Sequence, residues 1–479
     1  MNSKENKRDL WKGYIDSDKY QLHVTISTIG STTESAEEID DKIVYMEDLE
    51  KRKQAYGICG ECNEPGTGFE WCQPCNAKRF KDNVKSWTSG NKDIDEFIQQ
   101  SQLNAVHSKK YIEWIPFENF KNITYITRGG FGKIYSAVWP EGCIYKWDIE
   151  NQKWIRYSRK VALKSLDNSS CRSTEFLNEI KTHLQIYLWD VIQCYGITQD
   201  PNTKDFMMVL EYCKYGNLRN YYLNGESGYY SKIHKLRQIA RGLLDIHNAG
   251  KVHKDFHSGN ILHSSRPLIS DLGMCQPANN EKQSVKQEGI YGVLPYMAPE
   301  VLRGYQYTKA SDIYSFGIMM NEFISEETPY NNIPHNHTLS IKICKGLRPN
   351  IFKYTQKLLA DLITKCWDAK AENRPTAKEL YQTLYKLYKN RHEDSDTESQ
   401  VNEYNDKIEL NRTSEKRSSN IQTHPQAIYT SRLLNFKNLP EPVNSDATKT
   451  TSLCSECFDC QLDELDLNES DQEEENNTE

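Results

Sequence analysis

The sequence contains no long apolar run and no excess of positive charge. Nowhere in its 479 residues does an apolar run reach the roughly 18 residues that a membrane-spanning helix needs. The opening MNSKENKRDLWKGY also lacks the apolar stretch of a secretory signal. The 60 Lys and Arg residues stand against 67 Asp and Glu, and the net charge of −7 gives the whole chain no nucleic-acid signal. We therefore expect an intracellular protein, cytoplasmic or nuclear, without membrane contact and without a nucleic-acid partner.

Composition divides the chain into a globular centre with polar extensions. Apolar residues make up 37% of the sequence, with 9 Trp and 29 Tyr, as in a globular protein. A mean hydropathy of −0.77 indicates long polar segments as well. The patterns predict a polar N-terminal region at 1–56, a cysteine module at 57–80, a helical linker at 81–119, one large domain at 120–390 and a disordered, acidic tail at 391–479. In the linker, Ile94, Phe97 and Ile98 share one helical face.

The tail contains one apolar stretch, HPQAIYTSRLLNFKNLPEPV, at 424–443. On either side of it the chain is rich in charge, Ser and Asn, with too few apolar side chains to offset the entropy of ordering. The stretch has two interpretations: a docking segment that folds on a protein partner, or an apolar patch without a function.

A compact cysteine cluster, CGECNEPGTGFEWCQPC, occupies residues 59–75 and contains four of the 14 cysteines of the chain. In a reducing compartment such cysteines serve as metal ligands or buried thiols rather than as a disulfide framework. The two C-x2-C pairs predict tetrahedral coordination of Zn²⁺ by Cys59, Cys62, Cys72 and Cys75. Four thiolates close the coordination shell, so we expect a structural Zn²⁺ that folds the module. The module is also a candidate docking site for a protein partner.

A glycine-rich turn between two strand patterns lies in ITRGGFGKIYSAV, residues 126–138. Gly129, Gly130 and Gly132, around Phe131, allow the backbone to approach an anion closely and direct N–H groups at phosphates. For this motif alone, a hairpin turn without any ligand is the alternative.

The next strand pattern, KVALKSL, places Lys164 among apolar residues. Burial of an unpaired ammonium costs several kcal/mol, so Lys164 needs an anionic partner unless it turns outward to solvent. The helical pattern STEFLNEIKTHLQI offers Glu179, which can point back at Lys164 and hold it for phosphate oxygens.

Three polar side chains follow an amphipathic helix pattern. GKVHKDFHSGNIL, at 250–262, carries Asp255 and Asn260, and Asp271 then ends a short apolar strand in PLISDLGMC. Asn260 and Asp271 offer the oxygen ligands that Mg²⁺ takes beside substrate phosphates. Asp255 is left to accept a hydroxyl proton. Each of these residues alone would more often form a turn or cap a helix.

These motifs occur in one order along the chain: GGFG, VALK, a helical glutamate, HKDFHSGN, DLG, YMAPE, SDIYSFG and ENRPT. In that order they resemble the protein kinase superfamily over roughly residues 120–390. The DLG, SDIYSFG and CWDAKAENRPT runs look most like the tyrosine-kinase-like group of serine/threonine kinases, including families expanded in fungi. The resemblance implies an α+β, bilobal fold with a small β-rich lobe and a large helical lobe. It also implies Mg²⁺- and ATP-dependent phosphate transfer to serine or threonine of a protein substrate, with tyrosine left open, in intracellular signalling.

The resemblance implies roles for individual residues. Asp255 would be the catalytic base, with Asn260 and Asp271 holding Mg²⁺. Lys164 would hold the α- and β-phosphates while paired with Glu179, and His257 completes the catalytic set. The ATP-binding positions implied in this way are Ile126, Gly129, Gly130, Phe131, Gly132, Ile134, Ala162, Lys164, Glu211, Cys213, Asn260, Leu262 and Asp271.

Further positions match structural features of the family. Leu210 falls at the gatekeeper position, before the hinge that bonds adenine through its backbone. Asp312 matches the helix aspartate that braces the catalytic loop, and Glu300 and Arg374 match a structural ion pair. Ser284 and Tyr291 are phosphorylation candidates in the activation segment, or remain unmodified. 

Four positions depart from the kinase pattern. Thr127 replaces the first loop glycine, and Lys254 replaces the arginine of H-R-D, which loses the bidentate grip on a phosphate. His257 stands where serine/threonine kinases have a lysine that neutralises the γ-phosphate, and Val293 stands at the threonine that this lysine contacts. The two hypotheses are an active kinase, which we favour because the base and metal ligands are retained, and a pseudokinase scaffold that binds ATP and partners.

Overall fold

The computed structural model describes residues 10–15, 44–83, 86–129, 132–166, 173–186, 190–224, 227–278, 289–390, 395–413 and 423–444. Within these stretches, no helix combines the length and the apolar character needed to cross a bilayer. The described residues form a small lobe rich in strands and a large lobe rich in helices, so the predicted bilobal α+β fold is confirmed.

The small lobe is built on a six-stranded sheet. Its strands are β1 (Glu113–Trp114), β2 (Lys121–Gly129), β3 (Gly132–Asp148), β4 (Lys153–Leu166), β5 (Cys194–Gln199) and β6 (Phe206–Glu211). Their order across the sheet is β1-β5-β6-β4-β3-β2. Because successive side chains of a strand point to opposite faces, Val209 of β6 joins one buried core while Met208 joins another. Helix α4 (Ser173–Gln185) packs Phe176 and Ile180 into the core of Met208.

The hairpin of β3 and β4 is longer than the sequence suggested. Residues 139–160, interpreted from the sequence as an insertion between two strands, instead continue the β3–β4 ladder through two register shifts. Asp148 shapes the turn by accepting the backbone N–H of Asn151 at 3.0 Å. Trp147 packs edge-on against its cross-strand partner Trp154, with ring centroids 4.9 Å apart. Aromatic cross-strand pairs of this kind stabilise an antiparallel ladder, which explains why the polar stretch is strand.

The residues before the kinase-like domain pack against the small lobe. They contain the helices α1 (Leu49–Tyr56), α2 (Gln73–Asn83) and α3 (Lys92–Leu103). Asn91 caps α3, the expected linker helix, by accepting the N–H of Ile94 at 3.2 Å. Ile94 and Ile98 are fully buried in the same core as Phe176 and Ile180 of α4.

The cysteine module rests on the extended β3–β4 hairpin. Trp71, which is fully buried, stacks on Trp154 at 6.0 Å and on Tyr111 at 5.8 Å between ring centroids. Lys146 of the hairpin forms an ion pair with Glu70 of the module. The hairpin extension therefore attaches the module to the small lobe.

The large lobe surrounds two long helices. Its helices are α5 (Leu218–Asn224), α6 (Tyr229–Asn248), α7 (Pro299–Leu302), α8 (Lys309–Ser325), α9 (His337–Cys344), α10 (Lys357–Cys366) and α11 (Ala377–Lys389). Its short strands pair as β7 (Lys251–Val252) with β10 (Gln276–Pro277) and β8 (Ile261–His263) with β9 (Pro267–Ile269). The apolar residues of the amphipathic pattern in α6, such as Leu236 and Leu243, are fully buried. Helix α8 is buried along most of its length, and it lies beneath the loop that holds Asp255.

Two parts of the region predicted as a disordered tail are packed on the large lobe. Helix α12 (Ser395–Thr413) buries Val401, Tyr404 and Ile408 against it. Residues 423–444 run along the lobe, where β12 (Arg432–Leu434) pairs antiparallel with β11 (Ile290–Gly292). For these residues the expectation of disorder is corrected, because their few apolar side chains find a core on the kinase-like domain. Residues 391–394, 414–422 and 445–479 of the predicted tail lie outside the described residues.

Candidate active site

Asp255 lies in a loop that a carboxylate of α8 holds in place. Asp312 accepts the backbone N–H groups of His253 at 2.8 Å and Lys254 at 3.0 Å, and it lies 2.9 Å from Nε2 of His247. Lys254 has a φ of 70°, in the left-handed region that costs a side-chain-bearing residue roughly 1–2 kcal/mol. The bond from Lys254 to Asp312 therefore holds a strained backbone immediately before Asp255. This is the bracing contact that the resemblance implied.

The Asp255 carboxylate is buried and faces three polar side chains. Its Oδ2 accepts hydrogen bonds from Nδ2 of Asn260 at 3.1 Å and from Oγ of Ser431 at 2.5 Å. Nε2 of His257 lies 3.6 Å from the same oxygen. Burial alone would raise the pKa of Asp255, but the contacts with His257 and Ser431 outweigh burial and lower that pKa below its ordinary value. The carboxylate is therefore ionised at neutral pH and able to accept a proton.

His257 presents the Nε2 edge of its ring to Asp255. Its Nδ1 accepts the backbone N–H of Gly259 at 3.1 Å, which places the ring proton on Nε2. The 3.6 Å separation between Nε2 and the Asp255 carboxylate is longer than a hydrogen bond, so the ring faces this carboxylate without donating to it. Val293, which stands at the threonine position, is buried at 2% exposure and has no hydroxyl to offer.

Lys164 is held between two carboxylates. Its Nζ lies 2.8 Å from Oε1 of Glu179, on α4, and 2.8 Å from Oδ1 of Asp271, after β9. Burial disfavours the ammonium, but the charges of Asp271 and Glu179 outweigh it and raise the pKa of Lys164. Across the ladder Lys164 pairs with Ile134 of β3. The expected partner Glu179 is thus in contact with Lys164, and Asp271 joins the pair.

Asn260 and Asp271 have the donor chemistry for a hard cation. Asn260 donates its amide N–H₂ to the backbone carbonyl and the carboxylate of Asp255, at 2.9 and 3.1 Å, which leaves its amide oxygen as the group for a ligand. Burial would raise the pKa of Asp271, but the charge of Lys164 outweighs it and lowers that pKa, so the group is a carboxylate at neutral pH. One amide oxygen and one carboxylate fit Mg²⁺, which takes few protein ligands beside phosphate oxygens.

The positions assigned to adenine lie around the end of β6. Ala162, Cys213 and Leu262 are partly buried and pack against the core that contains Leu210. Glu211 ends β6 and donates its backbone N–H to the carbonyl of Gln193, the residue before β5, at 2.9 Å. An apolar wall with a few polar groups beside it is the kind of surface that binds a flat heterocycle.

The glycine turn is described only in part. Gly129 and Gly132 pair across the hairpin of β2 and β3, and Gly132 has a φ of 154°. Ile126, in β2, is 46% exposed. Gly130 and Phe131 lie outside the described residues, so their predicted contact with phosphates stays a prediction.

The activation segment is anchored at its end. Arg374 is fully buried and contacts both carboxylate oxygens of Glu300, at 2.7 and 2.8 Å, as the resemblance implied. Tyr291 lies in β11, whereas Ser284 lies outside the described residues. Phosphorylation of either residue stays a prediction.

The four predicted zinc ligands converge. One sulfur from each of Cys59, Cys62, Cys72 and Cys75 lies within 4.8 Å of the others. The Cys59–Cys75 and Cys62–Cys72 sulfur pairs are 3.9 and 3.6 Å apart. A tetrahedral Zn²⁺ with Zn–S bonds of about 2.3 Å sets its sulfurs about 3.8 Å apart, so the cluster fits this ion.

Sequence reasoning missed two features near Asp255. Ser431 reaches the carboxylate from the tail, and no local signal in the sequence points to that contact. Glu322, in α8, is fully buried and accepts hydrogen bonds from Arg219 at 3.1 Å and Tyr296 at 2.6 Å. A signal for Glu322 was present, because an acid inside the apolar run FGIMMNEFIS needs buried partners.

Comparison with known proteins places this geometry in a family. Residues 120–384, more than half of the chain, match the family described as protein tyrosine and serine/threonine kinase. The tyrosine-protein kinase SPK-1 of Girardia tigrina is 27% identical over 271 residues, which are 54% of this chain and 51% of that protein. A probable LIM domain-containing serine/threonine-protein kinase of Dictyostelium discoideum is 30% identical over 55% of this chain and 38% of its own length.

Mitogen-activated protein kinase kinase kinase 7 of Drosophila melanogaster is 25% identical over 57% of this chain and 38% of its own length. The chain thus spans about half or less of the length of these relatives. The family match covers the glycine turn, the Lys164 cluster, the Asp255 loop and the Glu300–Arg374 pair. The chain therefore belongs to the protein tyrosine and serine/threonine kinase family.

Proposed function

We propose that the chain is an active, ATP-dependent protein kinase that transfers the γ-phosphate to serine or threonine hydroxyls in intracellular signalling. The observation that carries the proposal is the position of Lys164, whose Nζ lies 2.8 Å from both Glu179 and Asp271. A buried lysine held by two acids is charged and fixed, as a group that orients phosphates must be. The likeness to the tyrosine-kinase-like group supports the preference for serine and threonine, and this preference belongs to the proposal.

Each polar group in the cleft has a part in this reaction. Lys164 would orient the α- and β-phosphates, and Asp255 would accept the proton of the attacking hydroxyl. Asn260 and Asp271 would hold Mg²⁺, which neutralises charge on the phosphates when bound. Asn260 also fixes the Asp255 carboxylate by its hydrogen bond at 3.1 Å. The chain therefore retains the groups that position the reactants and take up the proton.

The second candidate is a pseudokinase scaffold, and the environment of His257 favours it. His257 stands beside Asp255 in place of the family's lysine, and the buried Val293 supplies no hydroxyl. Loss of one auxiliary cation slows transfer by about 10- to 1,000-fold, or roughly 1.4–4 kcal/mol in the barrier. Such a loss weakens a kinase without removing its base or its metal ligands, so the active kinase remains the better-supported function.

Single-turnover transfer of labelled γ-phosphate from Mg²⁺-ATP to a generic protein substrate tests the two candidates. We expect transfer by the natural chain, loss of transfer in Asp255→Ala, and phosphoserine or phosphothreonine as the product. The double variant His257→Lys, Val293→Thr restores the family pair and should transfer faster than the natural chain. If the natural chain binds ATP but transfers no more label than Asp255→Ala, the scaffold candidate replaces the kinase.

The zinc module completes the proposal. We propose a structural Zn²⁺ on Cys59, Cys62, Cys72 and Cys75, supported by the convergence of their sulfurs. A protein partner for the module stays a prediction. Part of the module's aromatic surface, including Trp71 and Phe80, is already covered by the hairpin of β3 and β4.

A further inference from the structure

The docked tail segment, residues 423–444, crosses the large lobe and passes directly in front of Asp255. At that point Oγ of Ser431 donates a hydrogen bond of 2.5 Å to Oδ2 of Asp255. The two residues are 176 positions apart in the sequence, so the contact depends on how the tail is seated. Nothing in the kinase chemistry of the domain alone requires a tail hydroxyl on this carboxylate.

The residues before Ser431 are held by the loop that follows α8. Nδ1 of His335 accepts the N–H of Ile428 at 3.1 Å, and the N–H of His335 donates to the carbonyl of Gln426 at 3.0 Å. The Tyr429 hydroxyl donates to the carbonyl of Pro329 at 2.7 Å. The tail therefore approaches Asp255 along a fixed path, because the loop around His335 holds Gln426, Ile428 and Tyr429 in place.

The residues after Ser431 form a strand with the activation segment. β12 pairs with β11 in the register Gly292 with Arg432, Tyr291 with Leu433 and Ile290 with Leu434. Leu434 is buried at 7% exposure in the main core of the large lobe. Farther on, Arg303 forms an ion pair with Glu441, and Asn444 accepts the N–H of Ala369 at 2.8 Å. Contacts on both sides thus fix the position of Ser431.

Tyr429, Thr430 and Ser431 are three consecutive residues with hydroxyl groups, and only Ser431 is positioned to receive a phosphate. Tyr429 directs its hydroxyl to Pro329, and its ring lies 4.4 Å from the guanidinium of Arg219. Thr430 is exposed to solvent. Only the hydroxyl of Ser431 is hydrogen-bonded to the carboxylate that would take its proton, so the chain itself distinguishes one hydroxyl from its neighbours.

We propose that the docked tail segment occupies the peptide-substrate site of its own kinase domain and that Ser431 is a phosphate acceptor in cis. The inference rests on the proposed kinase function and names a substrate of that site, a serine in an extended segment paired with β11. Oγ of Ser431 attacks the γ-phosphorus of ATP, its proton passes to Oδ2 of Asp255, and the bond from phosphorus to the β–γ bridging oxygen breaks to release ADP. The product is phosphoserine at 431.

The reaction has a built-in consequence for the tail. A phosphoserine carries about −1.5 to −2 charges at neutral pH, and here it would stand against the buried carboxylate of Asp255. Like charges in a buried site repel strongly, so phosphorylation of Ser431 weakens the docking of the segment. Until then, the segment covers the site that an external substrate needs, and a free peptide must compete with it.

The test follows phosphate at Ser431 by mass spectrometry in the full chain after mixing with Mg²⁺-ATP. We expect phosphate at Ser431 with a first-order rate constant, the fraction of chains modified per unit time, that does not change over a 100-fold dilution of the protein, since the reaction is intramolecular. The matched control Thr430→Ala should be phosphorylated at Ser431 like the natural chain, whereas Asp255→Ala should not. A first-order rate constant at Ser431 that rises in proportion to protein concentration overturns the cis reaction.

Failure of this inference and failure of the kinase proposal give different results. If the natural chain phosphorylates an external peptide but leaves Ser431 unmodified, the inference is overturned and the kinase function stands. If neither is phosphorylated, the kinase function fails and the inference with it. Docking is measured without catalysis by hydrogen exchange of the 290–292 amides, which should be slow in the natural chain and at least 10-fold faster in Leu434→Asp. Equal exchange in the two proteins overturns the occupied site.

Discussion

Replacement of Asp312 by asparagine isolates the role of the loop brace, because it removes one acceptor and changes almost no volume. The Asp312 carboxylate receives the N–H of His253 on Oδ2 and the N–H of Lys254 on Oδ1, and it also lies beside His247. In Asp312→Asn one of these oxygens becomes an N–H₂ group. The least costly orientation keeps the oxygen toward His253 and His247, so a donor then faces the donor of Lys254.

The magnitude follows from that arrangement. An unsatisfied buried donor costs about 1–3 kcal/mol, and we expect the free energy of unfolding to fall by that amount. Lys254, with a φ of 70°, also loses the bond that holds its strained backbone, and Asp255 is the next residue. A displacement of about 1 Å at a reacting group costs on the order of 100-fold in rate, so kcat should fall about 100-fold. ATP affinity should not change, because Asp312 does not touch Lys164 or the adenine positions.

Kinetics and denaturation of one matched variant separate these effects. Asp148 also accepts backbone N–H groups, from Glu150 at 3.1 Å and from Asn151 at 3.0 Å, but it lies at the opposite end of the β3–β4 ladder from Lys164. Asp148→Asn should lower stability without lowering kcat. A kcat in Asp312→Asn equal to that of the natural chain would show that the brace does not position Asp255.

Three other predictions concern stability and metal binding. Burial, with a smaller effect of the Lys164 charge, lowers the pKa of His183 to about 4, so between about pH 6.5 and 4 the unfolded chain binds a proton that the folded chain does not bind. The free energy of unfolding should therefore decrease as the pH is lowered from about 6.5 to 4. His183→Gln should make this decrease smaller. Cys72→Ser should abolish binding of one Zn²⁺ per chain, measured by metal analysis. Glu300→Gln leaves the buried Arg374 charge without its ion partner and should cost about 3–5 kcal/mol in urea unfolding, whereas Glu96→Gln, in an exposed pair, should cost less than about 1 kcal/mol.

The sequence predicted the site well where a side chain's role depends on its neighbours in the chain. The strand lysine Lys164 required an anion, and Glu179 on the following helix is that anion. The two C-x2-C pairs required convergence, and their sulfurs converge. In each case short-range spacing and the cost of an unpaired polar group leave few arrangements open.

The remaining features depend on contacts between distant residues. Helix α12 had a weak signal, because Val401, Tyr404 and Ile408 follow helical spacing, but highly polar neighbours concealed it. Residues 139–160 were interpreted as an insertion because a polar strand in a long hairpin is stabilised by cross-strand partners that a linear reading does not pair. The contact between Ser431 and Asp255 had no local signal at all.

The segments on either side of the kinase domain act on different parts of the candidate site. The linker helix α3 places Ile94 and Ile98 in one core with Phe176 and Ile180 of α4, the helix that carries Glu179. The position of Glu179 beside Lys164 therefore depends partly on residues before the domain. At the other end, the tail reaches the Asp255 carboxylate that would accept the substrate's proton. Because interiors are close-packed and transmit displacement, loosening α3 should disturb the Lys164 ion pairs while leaving the contact between Ser431 and Asp255 in place.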